Sequence, residues 1–209
     1  MTHIDKQHID YTLYLVTDRS VMSAKSLEQA VEQAIQGGCT VVQLREKITS
    51  REFFETAQRI KQITDFYHIP LIINDRTDIC LAVNAAGIHV GQQDLPAKVV
   101  RSIVGPDKII GVSAATLSEA MQAEQDGADY LGVGAMFATS TKTNTRPVTV
   151  EQLVQIKQAV QIPVVAIGGI QSSNAATLTE TGIDGIAVVS AILAQENIAH
   201  AAEQLKACF

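Results

Sequence analysis

Short apolar runs alternate with amphipathic runs along the whole chain. The runs Leu13–Thr17, Thr40–Leu44, Leu71–Asn74, Gly87–Val90, Ile109–Val112, Tyr130–Val133, Val164–Ile167 and Gly185–Val188 are strand candidates. Between them apolar residues recur at helical spacing, at 27, 30, 31, 34 and 35 within Leu27–Gln36 and at 53, 54, 57, 60 and 63 within Phe53–Tyr67. Strands that alternate with helices pair in parallel, because each parallel connection needs a crossover. Eight such units in a chain of 209 residues predict a single-domain (β/α)8 TIM barrel over residues 1–209, with 1–11 as a short N-terminal extension. An open, doubly wound sheet is the alternative.

A half-hidden repeat favours closure. Even-numbered strands follow small residues and glycine, in Gly37-Gly38-Cys39, Ala86-Gly87, Asp126-Gly127-Ala128 and Thr181-Gly182-Ile183. Glycine is expected there as the left-handed residue that ends a helix. Strands 3 and 7 are entered instead through Pro70 and Pro163. A βαβα unit repeated in this way closes more readily than it stays open. No linker or low-complexity segment divides the chain.

Composition narrows the class of partner. The net charge of −6 argues against nucleic acid or an anionic membrane surface. No apolar run approaches the roughly 18 residues of a membrane span, and the first residues lack a signal-peptide core. Cys39, Cys80 and Cys208 are widely spaced and odd in number, which reads as reduced thiols of a cytoplasmic protein. Tryptophan is absent, so a base-stacking surface is not expected. Small-molecule chemistry remains, with a homo-oligomer left open.

The stretch Leu131–Asn144 concentrates that chemistry. It begins as a strand, passes Gly132 and Gly134, and becomes a loop with Thr139, Ser140, Thr141 and Lys142. Hydroxyls, backbone N–H groups and an ammonium are all donors, which suits a pyrophosphate. The loop lacks the Gly-Lys-Ser/Thr ending of a Walker loop. A solvated loop whose threonines cap the next helix is the plainer alternative.

Barrel active sites form at the C-terminal ends of the strands. Strand 2 ends Gln43-Leu44-Arg45-Glu46-Lys47, and alternation puts Gln43, Arg45 and Lys47 on one side. Gln43 has both donor and acceptor and can pair with an aminopyrimidine edge. Strand 3 ends Asn74-Asp75, and strand 4 leads into Asp94. The two aspartates are either helix caps or, with phosphate oxygens and water, an oxygen set for Mg2+. His89 is expected to fill the barrel interior with a backbone partner. Strand 5 ends in Ser113, strand 7 in Gly168-Gly169, and strand 8 in Val188-Val189-Ser190. Loops 7 and 8 of this fold often bind a phosphate.

Taken in order, Val-Thr-Asp-Arg, Gln-Leu-Arg-Glu-Lys, Ile-Asn-Asp-Arg, Gly-Ile-His-Val-Gly-Gln-Gln-Asp, Gly-Val-Ser, Thr-Ser-Thr-Lys, Ile-Gly-Gly-Ile and Val-Val-Ser-Ala-Ile cover nearly the whole chain. Together they resemble the thiamine-phosphate synthase family. The resemblance implies joining a hydroxymethylpyrimidine diphosphate to a thiazole phosphate, with Mg2+ and release of pyrophosphate. It implies that Gln43, Leu44, Arg45, Glu46, Lys47, Asn74, Ser113 and Lys142 hold the pyrimidine diphosphate. It places Mg2+ on Asp75 and Asp94, and the thiazole phosphate against Thr139, Ser140, Thr141, Gly169, Val189 and Ser190. The residues read by themselves give those three hydroxyls to pyrophosphate, so both substrates stay open for them. Arg45, Lys47, Lys142 and Ser113 are the expected catalytic groups. The family often has proline where Ala135 and Ala138 stand, so a less rigid loop is expected here. A tautomerase-like relative, a Schiff-base aldolase using Lys142 or Lys47, and a non-catalytic precursor-binding barrel are the rival readings.

Overall fold

The computed structural model describes residues 6–139 and 146–209. Eight parallel strands close into a barrel in sequence order, with β1 against β8. They are β1 (Leu13–Val16), β2 (Val41–Leu44), β3 (Leu71–Asn74), β4 (Gly87–Val90), β5 (Ile109–Ala114), β6 (Tyr130–Val133), β7 (Val164–Ile167) and β8 (Gly185–Val188). The helices are α1 (Leu27–Gln36), α2 (Ser50–Phe66), α3 (Thr77–Ala82), α4 (Ala97–Val104), α5 (Leu117–Gln125), α6 (Val150–Ala159), α7 (Ser190–Leu193) and α8 (Ile198–Lys206), with a 3-10 helix at Ala175–Thr181. The open sheet is thereby ruled out.

Local chemistry moves two boundaries from their expected places. Helix α2 starts at Ser50, not Phe53, because Thr49 accepts from Glu52 N and Glu52 reaches back to Thr49 N. This capping box satisfies two N–H groups that the first turn would leave unpaired. Strand β5 runs on to Ala114, past the expected Val112, so Ser113 stands at the strand's end as expected.

Strand alternation sorts the apolar residues into two cores. Tyr14, Val41, Ile72, Ile109, Tyr130, Val165 and Ala187 fill the barrel. Leu13, Leu15, Val42, Leu44, Ile73, Ile88 and Ile110 face outward and pack with the helices. A period of two along each strand dictates this division, and it makes the barrel a packed interior.

Three of the four expected helix-ending glycines are left-handed, Gly38, Gly127 and Gly182, with φ of 103°, 90° and 75°. Gly87 is not. It lies within β4, and the left-handed residue before it is Asn84, with φ 51°. Gly87 is small for a different reason: a Cβ there would lie 2.2 Å from the Ile109 carbonyl oxygen. At the N-terminal end, Lys6 Nζ donates to Pro106 O (2.7 Å) and contacts Asp129 Oδ1 (3.1 Å). Tyr11 is buried with its ring centroid 4.9 Å from that of Tyr130. Residues 6–11 therefore belong to the barrel floor.

Candidate active site

A cavity of about 680 Å³ opens at the C-terminal ends of the strands. That is a volume suited to a drug-sized ligand. Of the sixteen residues expected from sequence, Gln43, Arg45, Asn74, Asp75, Asp94, Ser113, Thr139, Gly169, Val189 and Ser190 line it. Ser140, Thr141 and Lys142 lie outside the described residues.

The end of β2 divides its five residues. Gln43 is buried and points into the barrel, where its Nε2 donates to Tyr14 Oη at 2.8 Å. Arg45 reaches the mouth and pairs with Asp18 Oδ2 at 2.9 Å. Burial alone would raise Asp18, but Ser20 and the Arg45 guanidinium hold it below the usual carboxylate range. Leu44 is the alternate residue and is buried in the outer core. Glu46 turns to Arg19, 2.7 Å away. Burial pushes it above its ordinary value, with Arg19 opposing. Lys47 is exposed and does not line the cavity. The alternation expected to bring Lys47 alongside Gln43 and Arg45 stops where the strand does, at Leu44.

Asp75 and Asp94 both line the cavity, and neither is a helix cap. Residues Arg76 and Pro96 occupy the cap positions of α3 and α4, without side-chain cap bonds. Asp75 has φ 60°, a left-handed conformation that aspartate tolerates better than most residues, and its N–H donates to His89 O at 2.9 Å. Asp94 Oδ2 accepts from Gly91 N at 2.7 Å. Among the described residues no group of three or more His, Cys, Asp or Glu forms a closed metal site. Two carboxylates on adjacent loops do fit a hard cation that takes its remaining oxygens from a diphosphate and water.

Inside the mouth runs a chain of side-chain hydrogen bonds. Tyr14 Oη lies 2.7 Å from Tyr130 Oη, Tyr130 Oη 2.9 Å from His89 Nδ1, and His89 Nε2 2.9 Å from Ser113 Oγ. His89 fills the interior as expected, but these ring partners are side chains where a backbone partner was expected. Burial raises the Tyr14 and Tyr130 phenols far above their ordinary range, so both keep their protons.

The stems of the segment after β6 are tied on two sides. Ala135 exchanges backbone bonds with Arg146 and Val148, both at 2.9 Å. Met136 N and Phe137 N donate to Ile167 O (3.0 Å) and Gly168 O (2.9 Å). These four bonds tie the stem at the position where Ala135 stands in place of proline. Gly168 and Gly169, at φ 101° and 65°, carry the end of β7 beneath it.

Sequence reasoning missed Tyr14, Tyr130, Asp18, Gln92, Glu119 and Arg146, all of which touch the cavity or its lining residues. The two tyrosines had a signal, since both stand at inward-facing strand positions in a chain with four tyrosines. Glu119 and Arg146 gave none, because their pairing joins α5 to a segment distant in sequence.

A closed parallel barrel whose mouth gathers carboxylates, two arginines, side-chain amides and paired glycines defines a (β/α)8 enzyme acting on phosphorylated small molecules. Residues 13–192 match the family described as thiamine monophosphate synthase. The chain belongs to that family. It is 60% identical over 205 residues to the thiamine-phosphate synthase of Ruminiclostridium cellulolyticum, covering 98% of each. It is 57% identical to that of Clostridium tetani, covering 97% of this chain and 98% of the other. Among solved structures, the thiamine phosphate pyrophosphorylase of Pyrococcus furiosus superposes with a TM-score of 0.88 at 39% identity, covering 96% of each chain.

Proposed function

We propose that this cavity joins a hydroxymethylpyrimidine diphosphate to a thiazole phosphate, forming thiamine phosphate and releasing pyrophosphate. One observation carries the reading: the ten expected residues named above, drawn from seven strand ends, line a single cavity.

The chemistry is a substitution at the methylene carbon of the pyrimidine. The carbon–oxygen bond to diphosphate breaks, the electron pair leaves with pyrophosphate, and the electron-rich ring stabilises the methylene cation. The thiazole nitrogen then gives its lone pair to that carbon. No protein nucleophile is required. The protein's part is to meet the charge that grows on the leaving group and to align the two rings. Arg45 serves the first task from the end of β2, with Lys142 as a second cation inferred from the sequence. Gln43, Asn74 and Ser113 serve the second, as neutral groups deep in the mouth. Asp75 and Asp94 would hold Mg2+, which when bound neutralises diphosphate charge. Gly169, Val189 and Ser190 would take the thiazole phosphate, because small residues and the first amides of a helix leave N–H groups for an anion.

Lys47 serves at most at long range, given its exposed position. The direct test is to incubate the protein with both phosphorylated heterocycles and Mg2+ and follow thiamine phosphate and pyrophosphate together. Equal release of the two supports the reading. Pyrophosphate release without the coupled product would make the protein a hydrolase of the diphosphate.

A further inference from the structure

The bonds inside the barrel have a direction. Gln43 Nε2 donates to Tyr14 Oη. Among the described residues, the remaining partner of that buried hydroxyl is Tyr130 Oη, at 2.7 Å, so the Tyr14 proton goes there. Tyr130 Oη has then accepted, and it donates its own proton to His89 Nδ1. A ring nitrogen that accepts carries no hydrogen, so the neutral imidazole bears its proton on Nε2. Nε2 donates to Ser113 Oγ, which is left to offer its hydroxyl proton to the cavity it lines. Reversing the order would strand a buried Tyr14 proton without an acceptor, a cost comparable to a lost hydrogen bond.

The strands make room for this path. A Cβ on Gly111 would lie 2.1 Å from Tyr130 Cζ, and one on Gly132 would lie 3.1 Å from His89 Cε1. Both glycines occupy inward positions, where a side chain would otherwise add to the packed interior. The interior gives up that packing to admit two hydrogen-bonding rings.

We propose that Tyr14, Tyr130 and His89 form a positioning relay from Gln43 to Ser113, fixing Ser113 as a hydrogen-bond donor toward the heterocyclic substrate. None of the three needs to touch a reacting atom. The relay selects a heterocycle that presents an acceptor, such as an unprotonated pyrimidine nitrogen, and rejects one that presents an N–H at that point. The effect on substrate choice rests on the proposed function, whereas the direction of the relay does not.

The test uses the full-length protein labelled with 15N-histidine, the His89 signal being identified by its absence in His89→Gln. Expected in the free wild-type protein is a bare Nδ1 and a protonated Nε2. Tyr130→Phe removes one hydroxyl and keeps the ring, and it should abolish that preference. It should also raise KM for the pyrimidine diphosphate about three- to tenfold, the scale of one lost hydrogen bond, while KM for the thiazole phosphate is unchanged. Tyr14→Phe acts one step further back and should give the same changes in smaller measure, which keeps the test alive if Tyr130→Phe does not fold. His89→Gln retains a donor within reach of Ser113 and should keep a lower KM than His89→Leu. A protonated Nδ1 in the wild type, an unaltered tautomer in both tyrosine variants, or equal changes in both KM values would overturn the proposal. Because the tautomer is read without substrate, failure to make thiamine phosphate would refute the function and leave the relay to the nitrogen signals.

Discussion

Arg146 and Glu119 meet through two parallel bonds, Nη1 to Oε1 at 2.7 Å and Nη2 to Oε2 at 2.8 Å. The second carboxylate oxygen also accepts from Ala115 N at 2.8 Å. This pair fastens the returning stem of the β6–α6 segment to the start of α5, at the edge of the cavity. The Arg146 hydrogen bond holds Glu119 below its ordinary value, against a smaller opposing effect of burial. A depressed folded value means the contribution is complete above the unfolded carboxylate pKa and is lost as pH falls through the folded one. Thermal melting followed from about pH 6 down to about pH 3 should therefore fall less steeply in Glu119→Gln than in the wild type. Parallel curves would show that the pair does not differ between folded and unfolded chains.

Asp75→Asn and Asp94→Asn are expected to raise the Mg2+ concentration needed for half-maximal activity and to lower turnover. Neither residue caps its helix, so melting temperature should move little for Asp75→Asn. Asp94→Asn can keep the Gly91 bond through its amide oxygen. Activity titrated against Mg2+, with melting curves in parallel, checks this. An unchanged Mg2+ titration in both would remove the aspartates from the metal's coordination.

Arg45 and Lys47 should separate. Arg45 lines the cavity and is braced by Asp18, whereas Lys47 stands exposed beyond the end of β2. Arg45→Ala is expected to cost roughly 10²-fold in kcat, the scale of one lost charge-stabilising donor. Lys47→Ala should cost under about tenfold, and that remainder should shrink as salt is added, as for a screened charge. Equal losses measured at one salt concentration would mean that Lys47 reaches the substrate after all.

Gly169 was expected from sequence to approach a phosphate. The structure adds a second constraint, since a Cβ there would lie 2.5 Å from Ala138 O and 2.8 Å from Phe137 Cβ, at φ 65°. Gly169→Ala should therefore displace the Phe137–Ala138 stem as well as crowd the anion. Melting temperature should drop, and KM should rise for both substrates, more for the thiazole phosphate. A change confined to the thiazole phosphate, with unaltered melting, would assign Gly169 to the anion alone.

Lys142, read from the sequence, would meet charge that grows as the carbon–oxygen bond breaks. Lys142→Ala should lower kcat roughly 10²-fold or more while KM for the diphosphate changes less. Lys142→Arg should recover part of the rate, because a planar guanidinium does not reproduce a compact ammonium. Normal turnover by Lys142→Ala would exclude the lysine from the reaction.

The barrel was legible because each element announces its own period, and the eight short apolar runs fall where the eight strands lie. The lining of the mouth was legible wherever an expected residue stands on a strand or just beyond one, as with Asn74, Ser113 and Gly169. Alternation failed as a guide at Lys47, since a pleat says nothing about direction once pairing has ended. Contacts between distant segments were invisible for the same reason. Neither the Arg146–Glu119 pair nor the path from Gln43 to Ser113 leaves a trace in local spacing, because each is decided by which strands become neighbours in the ring.

The seam between β1 and β8 also governs when the mouth can exist. During synthesis Leu13–Val16 emerges early, while its partner Gly185–Val188 follows some 170 residues later. Until then the growing sheet has two unpaired edges, the arrangement most prone to pair with another chain. A ribosome-bound chain lacking the last quarter of its length has the Gln43, Asp75 and Ser113 ends but no wall of Val189 and Ser190 to complete the cavity. Substrate can thus assist only the final closure, and protection of a newly made chain before that point falls to whatever shields its open edges.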